Sequence, residues 1–434
     1  MKSPTKIFLL TFLFLLPFYT YSQNQWRVFT TQNSGLPDNN ILCIGIDTNN
    51  NKWIGTQNGL VKYNGSNWIV YDTSNSPLPV AAITSIAVDK LNNLWLGSSY
   101  GGGLVKFDGV NNWTIYNTTN SGMPSNYIFV IKIDFNNIKW IGGFGLTKFN
   151  DTNWVIYNST NSGLPHNLVS ALELERHIKW IGHFTILVDA GLTKFNDTSW
   201  IVYNENNSGL PSNLVEDINL DKFNNKWIAT RFGGLAKFNS VSNIWTVYNT
   251  SNSGLTEDNL RCIKTDRNNI KFIGPSSSGL NIYNDTTWIN YNDTNSPMPS
   301  NSISNISIDS LNNKWLATSG GLVIFNEYGI IGIKNLNNLI PNRLKLFQNY
   351  PNPFNSQTKI KLQIYNTSNI RLTVYNILGE EITTLINQQL NPGLYEVVFD
   401  GTNYPSGVYF YQLLVINKQQ VIEFTDTKKL ILIK

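Results

Sequence analysis

The sequence predicts an all-β protein: a seven-bladed β-propeller closed by its own N-terminal strand, followed by a small immunoglobulin-like β-sandwich. Three observations predict it. Variants of "NKWIGTQNGLVKY" (Asn51 to Tyr63) occur seven times, among them "KWIGGFGLTKF", "KWIATRFGGLAKF" and "KWLATSGGLVIF". A second motif, W-x-x-[YF], also occurs seven times but out of phase with the first. From Leu344 onward both motifs stop and the text changes to alternating apolar and polar segments. The 434 residues suffice for two or more domains. Charged residues make up only 14% and aromatic residues 13%, with abundant Asn and Gly. Aromatic residues favour strands and Asn and Gly favour turns, so the composition agrees.

The repeat divides into four strands per unit. In the first unit these are "ILCIGID", "KWIGT", "GLVKYN" and "WIVYD". The second-strand aromatics are Trp53, Trp95, Trp140, Trp180, Trp227, Phe272 and Trp315, spaced 40 to 47 residues apart. The outer-strand series is Trp26, Trp68, Trp113, Trp154, Trp200, Trp245 and Trp288, and the two series use all 13 tryptophans. A period of this length with several short strands is the mark of propeller blades. Asp-x-x-Asn-Asn links the first two strands, because Asp and Asn cap tight turns and tolerate left-handed backbone. Blade strands are apolar throughout, since neighbouring blades cover both faces. The outer motif appears at Trp26 before any second strand, and the last unit ends at "GLVIFN" without one. The count therefore matches only if the N-terminal strand completes the last blade, which links the ends of the ring and leaves no open sheet edge there.

The repeat L-P-x-N, Asp, N-x-W-I-G-T and G-L-x-K-[FY] resembles the two-component regulator propeller repeat over about Gln23 to Asn326. That family is named for periplasmic sensor regions of bacterial hybrid histidine kinases, where such propellers are implicated in sensing glycans. No kinase or response-regulator segment accompanies the repeats here, so the resemblance implies the fold and leaves the sensor role open.

The two ends of the chain carry routing information. The N-terminus pairs Lys2 and Lys6 with an apolar run from Ile7 to Phe18 and a small-polar exit at Thr20-Tyr21-Ser22, the layout of a secretory signal peptide over 1–22. The run is short for a membrane span, and the mature protein is expected not to be an integral membrane protein. The propeller is assigned to 23–326 and a linker to 327–343. Segments such as "IKLQI" and "RLTVY" in 344–434 read as half-buried strands of an antiparallel sandwich. This tail closely resembles the C-terminal sorting domain of type IX secretion cargo. The resemblance rests on Gln348-Asn349-Tyr350-Pro351-Asn352-Pro353-Phe354-Asn355, Leu378-Gly379, Ser406-Gly407-Val408-Tyr409, and Lys428-Lys429 through Lys434; Ser356 departs from a Pro common there. It implies Sec export into the periplasm, recognition by the type IX secretion machinery and its sortase, and a secreted or cell-surface destination.

The remaining signals mostly exclude. Net charge is +4, and eleven of the 32 Lys and Arg residues recur at two fixed repeat positions, which spreads them around the ring. A nucleic-acid partner calls for clustered basic residues, so none is expected. Cys43 and Cys262 occupy equivalent places in repeats one and six, too far apart to bridge, and read as small buried hydrophobes. The recurring Asp47, Asp89, Asp134, Asp221, Asp266 and Asp309 read as turn caps, because the Gly and Glu of a calcium loop are missing. No metal site or cofactor is implied. No nucleophile, base and orienting group assemble from the sequence, and G-x-S-x-G, H-E-x-x-H and phosphate-cradling glycine loops are absent.

What breaks the repeat is the better guide to a ligand site. The loops joining second to third strands share a rim with those joining one blade's outer strand to the next blade's inner strand. On that rim the sequence places Tyr100, Phe144, His183, Phe184, Asp189, Arg231 and Phe232, with aromatic faces suited to sugar rings. Repeat four is irregular, carrying "IGHFTILVDA" and all three histidines, His166, His177 and His183. His177 belongs on the opposite rim, whereas His166, His183 and Asp189 are placed to converge. Two readings follow: a non-catalytic exported module binding a glycan or a surface protein, or a propeller lyase using a rim histidine.

Overall fold

The computed structural model describes residues 25–185, 190–327, 334–337, 341–390, 392–401, 404–416 and 422–434. The signal-peptide assignment and Asp189 lie outside the described residues. Among these residues, seven four-stranded antiparallel sheets run in order from Trp26 to Phe325, followed by two further four-stranded sheets. Closure follows the sequence count. Trp26–Phe29 pairs with Gly321–Phe325, Trp26 opposite Phe325, and the same sheet continues through Lys314–Thr318 to Ile303–Ile308. Beyond the strand, Asn326 N donates to Gln25 O at 2.9 Å, and Gln25 Nε2 donates to Glu327 O at 2.9 Å.

The repeat's residue choices hold each blade together and staple it to the next. Asp221 illustrates the turn. Its Oδ1 accepts from Phe223 N and Asn225 N at 2.9 Å, and its Oδ2 accepts from Asn225 Nδ2 at 2.8 Å and Trp227 Nε1 at 3.0 Å. Burial opposes the charge, but these bonds outweigh it and hold the carboxyl below its usual range. Trp53, Trp95, Trp140 and Trp315 donate in the same way to Asp47, Asp89, Asp134 and Asp309. In blade four Glu175 takes the part of the Asp, and in blade six Phe272 has no N–H, so Asn312 of the next blade donates to Asp266 instead.

Each lysine before the aromatic is buried and lies over the aromatic of the preceding blade: Lys139 over Trp95, Lys179 over Trp140, Lys226 over Trp180, Lys271 over Trp227. The lysine after "GL" covers the Trp of its own blade, so Trp95, Trp140, Trp180 and Trp227 each meet two ammonium groups. A desolvated contact of this kind contributes roughly 2 kcal/mol. The recurrent basic residues are thus part of the blade packing. On the outside, Trp200 stacks on Phe195 at 3.8 Å and 9°. A Cβ on Gly163, the glycine of "NSGLP", would sit 2.5 Å from the Cβ of Trp200, so that contact needs a bare backbone. Cys43 and Cys262 are buried free thiols.

The tail forms a two-sheet sandwich around a separate core that includes Phe354, Ile360, Leu372, Tyr411 and Leu430. Lys334–Asn337, inside the stretch assigned to the linker, pairs with Gly393–Asp400, so part of that stretch is an edge strand of the sandwich. No helix among the described residues is long and apolar enough to cross a membrane.

Candidate functional site

A backbone irregularity builds the site. In six blades the innermost strand shifts register between its first and third residues: Ile41/Cys43, Ile128/Val130, Val169/Ala171, Val215/Asp217, Leu260/Cys262 and Ile303/Asn305. A bulge leaves one residue unpaired and re-aims its side chain. Five of the six residues skipped by these shifts, Phe129, Ser170, Glu216, Arg261 and Ser304, line a single cavity of about 470 Å³. Thr84, Ser99, Leu168, Phe184 and Arg231 complete the lining, so blades two to seven all contribute.

The polar groups of this cavity are partly spoken for and partly left over. Arg231 Nη2 lies 2.6 Å from Glu216 Oε1, and the guanidinium sits 4.4 Å over the Phe184 ring. Arg231 Nε is buried with no hydrogen-bond partner; Glu216 Oε1, though ion-paired, lacks a well-directed hydrogen bond. Burial raises the Glu216 carboxyl, and Arg231 and Arg261 oppose that rise. The hydroxyl of Ser170 donates to Val215 O at 2.8 Å and that of Ser304 to Ile41 O at 2.8 Å, which leaves oxygen lone pairs as acceptors.

A layer of charge lies nearby on the same inner strands. Lys132 Nζ pairs with Glu173 Oε2 at 2.8 Å, and Asp217 Oδ2 accepts from Ile263 N at 3.0 Å. Burial works against the charge on Lys132, but Glu173 and Asp217 outweigh it and raise its pKa. Burial, with Lys132 nearby, lowers that of Lys264.

Of the residues proposed from sequence, Arg231 and Phe184 line the cavity. Phe144 stands beside it, its ring 6.0 Å from that of Phe129. Tyr100 and Phe232 are exposed on the same rim and do not line the cavity. His183 is a correction. It is the last residue of Ile178–His183 and 0% exposed, with Nε2 3.0 Å from Thr193 Oγ1 and Nδ1 3.3 Å from Leu168 O. Burial brings its pKa down to about 4, so the ring is neutral at physiological pH. The reason lies in the repeat register, since His183 stands where Thr56, Thr230 and Thr318 end their strands, and those side chains are fully buried too. His166 accepts from Leu168 N at 3.0 Å through Nδ1, and His177 packs on Phe135 at the opposite rim. Among the described residues no three His, Cys, Asp or Glu side chains gather as a metal site.

The sequence reading missed Phe129, Glu216 and Arg261. A signal was available: aligned second positions of the inner strands read Leu42, Thr84, Phe129, Ser170, Glu216, Arg261 and Ser304, whereas the first positions are uniformly Ile, Val or Leu.

In the tail, the sorting-motif residues divide into anchors and exposed groups. Asn349 is buried and donates through Nδ2 to Thr358 Oγ1 at 2.9 Å and Pro351 O at 3.1 Å. Asn352 Oδ1 accepts from Ile431 N at 2.8 Å, and Phe354 is buried in the core. The motif thereby clamps the last strand, Ile422–Leu432. Gly379 takes a φ of 80° in its turn. Tyr350, Pro351, Pro353, Gly407, Lys429 and Lys434 are exposed, and Lys428 pairs with Asp426 at 3.2 Å.

Residues 348–432 match the family described as secretion system C-terminal sorting domain. No match was found among curated proteins. Solved structures similar to the chain include the extracellular domain named for the hybrid two component system BT3049 of B. thetaiotaomicron, at 19% identity and TM-score 0.61, covering 94% of this chain and 57% of that one. PorZ, a surface component of the type IX secretion system of Porphyromonas gingivalis, aligns at 14% identity and TM-score 0.58, covering 94% and 60%. Virginiamycin B lyase of Staphylococcus aureus aligns at 12% identity and TM-score 0.55, covering 69% and 98%. The chain therefore spans less than two thirds of the first two, and at these identities the shared property is the propeller fold.

Proposed function

We propose that this protein leaves the cell by the type IX route and acts outside it, or on its surface, as a non-catalytic binding propeller that takes a glycan in the axial cavity. The observation that carries the binding reading is a buried polar atom at the cavity, Arg231 Nε, which has no protein hydrogen-bond partner, beside a Glu216 carboxylate whose Oε1 meets only the Arg231 Nη2 at 2.6 Å. Buried polar groups are normally satisfied, so a ligand or water is needed there. Sugar hydroxyls suit the lining. They can donate to the free lone pairs of Ser170 and Ser304 and accept from the arginines, while Phe129 and Phe184 offer ring faces. The lyase alternative calls on a rim histidine, and the burial of His183 counts against that residue in the role. The sorting domain supports the export route.

Two measurements test this reading. Deleting Leu344 to Lys434 in a host with the type IX system should leave the propeller in the periplasm; truncated protein in the medium would refute the export route. A glycan array probed with the mature chain should show binding that Arg231→Gln weakens about tenfold, the scale of a lost hydrogen bond to a charged group. A blank array, or binding indifferent to Arg231→Gln and Phe184→Ala, would refute the site.

A further inference from the structure

The rim opposite the cavity carries a second surface. Its inner margin is made of the turns between first and second strands, which share one conformation. The residue after the tip has positive φ in every blade: Asn50, Asn92, Asn137, Arg176, Asn224, Asn269 and Asn312, between 52° and 69°. Equal backbone geometry at equal places in the ring projects the tip residues from one face. Neighbouring turns are also tied together, with Thr48 N donating to Asn92 Oδ1 at 3.0 Å, Lys90 N to Asn137 Oδ1 at 3.4 Å and Lys222 N to Asn269 Oδ1 at 3.3 Å. The margin is therefore a row of turns of one conformation, tied directly at blades one to two, two to three and five to six.

What the row displays is unusual for solvent. Leu91 is 78% exposed, Phe135 50% and Phe223 67%, all with the sandwich in place. Beside them stand the exposed cations Lys90, Arg176, Lys222 and Arg267, none of which has a carboxylate partner among the described residues. Lys90 Nζ donates to Phe135 O, Arg267 Nη2 donates to Ser310 O at 2.6 Å, and Lys222 lies 5.0 Å over the Phe223 ring, so these contacts hold the charges at the rim without neutralising them. The carboxylates of this rim are engaged elsewhere: the turn aspartates bind Trp and backbone N–H groups, and Asp151, Asp197 and Asp285 pair with the buried Lys139, Lys179 and Lys271. The last blade shows what an apolar tip here does when it is covered. Leu311, the counterpart of Leu91 and Phe223, packs against the hydrophobic core of the sandwich. That contact lies at blade seven, across the ring from blades three and four.

We infer that the row of turns in blades two to six docks the propeller on an anionic lipid surface, with Leu91, Phe135 and Phe223 entering the headgroup boundary and Lys90, Arg176, Lys222 and Arg267 meeting headgroup phosphates. Apolar groups flanked by cations that no carboxylate neutralises form the combination that binds such an interface, through buried area plus attraction to negative lipid. Docking this way turns the cavity on the other rim toward the medium. This inference does not depend on the glycan reading.

Flotation of the mature full-length chain with vesicles tests it. Binding is expected to phosphatidylglycerol-containing vesicles and not to pure phosphatidylcholine, and it should fall with rising salt. Each of Lys90→Gln and Lys222→Gln should weaken it about fivefold, from the usual contribution of one basic residue near a charged membrane. The triple change Leu91→Asn, Phe135→Asn and Phe223→Asn should abolish it while leaving thermal unfolding and glycan binding unchanged, since all three side chains are exposed. Absence of vesicle binding, equal binding to both lipids, or binding unaffected by these substitutions would overturn the inference. So would self-association of the chain that the triple change dissolves, because a second copy would then be the occupant.

Discussion

The two ends of each blade are built on opposite principles. At the turn end, the Asp, the Trp and the two lysines recur from blade to blade, and their atoms are committed to one another: Trp227 Nε1 on Asp221, Lys226 and Lys179 on the tryptophans of the preceding blades. At the cavity end, a bulge in the inner strand recurs while the residue it carries does not, so Phe129, Ser170, Glu216, Arg261 and Ser304 face one space. The repetition encodes a ring with a standard socket, and variation within the socket makes the surface individual. The recurring Asp, Trp and Lys side chains are spent on one another, whereas the residues that vary at the bulge face open space.

The largest effect that would sharpen this contrast comes from truncating an obeyed position. Trp140→Ala should destabilise the propeller by about 3–5 kcal/mol, the usual scale for emptying a buried aromatic site. The removed ring also leaves Asp134 Oδ2 without its Nε1 donor and takes away the face on which Lys148 and Lys179 rest. Trp154→Ala, at a half-buried outer position in the same blade, should cost clearly less, since there the loss is mainly the stack on Phe149. Urea titration of both variants measures the difference. Equal destabilisation would mean that the inner network contributes nothing beyond ordinary burial.

How much could be read in advance follows the same division. The blade count, the closing strand at Trp26 and the capping role of the aspartates were legible, because each depends on residue types that recur seven times or nearly so. The cavity was only half legible. Arg231 and Phe184 sit in loops that visibly depart from the pattern, whereas Glu216 and Arg261 lie inside strands, and only the bulge turns them toward the axis. Exposed loop aromatics such as Tyr100 and Phe232 attracted notice by being irregular, yet irregularity in a loop does not bring a side chain to the axis.

His183 sharpens the comparison further, because it is chemically irregular at a position that obeys the repeat. Thr56, Thr230 and Thr318 each end their strand with the hydroxyl donating to the carbonyl of Gly59, Gly234 or Gly321, at 2.7–2.9 Å. His183 fills the same buried place, with Nε2 against Thr193 Oγ1. Its pKa falls from the ordinary 6.5 to about 4 because burial penalises the imidazolium. In the unfolded chain the ring takes up a proton near pH 6.5, whereas in the folded chain it does so only near pH 4. Between those values the unfolded state binds more protons, so stability rises with pH across this window. The stabilisation is fully present above about pH 6.5 and is progressively lost down to pH 4, on the order of 3 kcal/mol in all. His183→Thr restores the residue used by three other blades and should remove that slope while leaving a folded ring. Denaturant titrations of both proteins from pH 4 to 7 measure it, and parallel curves would show that His183 is not held neutral by the fold.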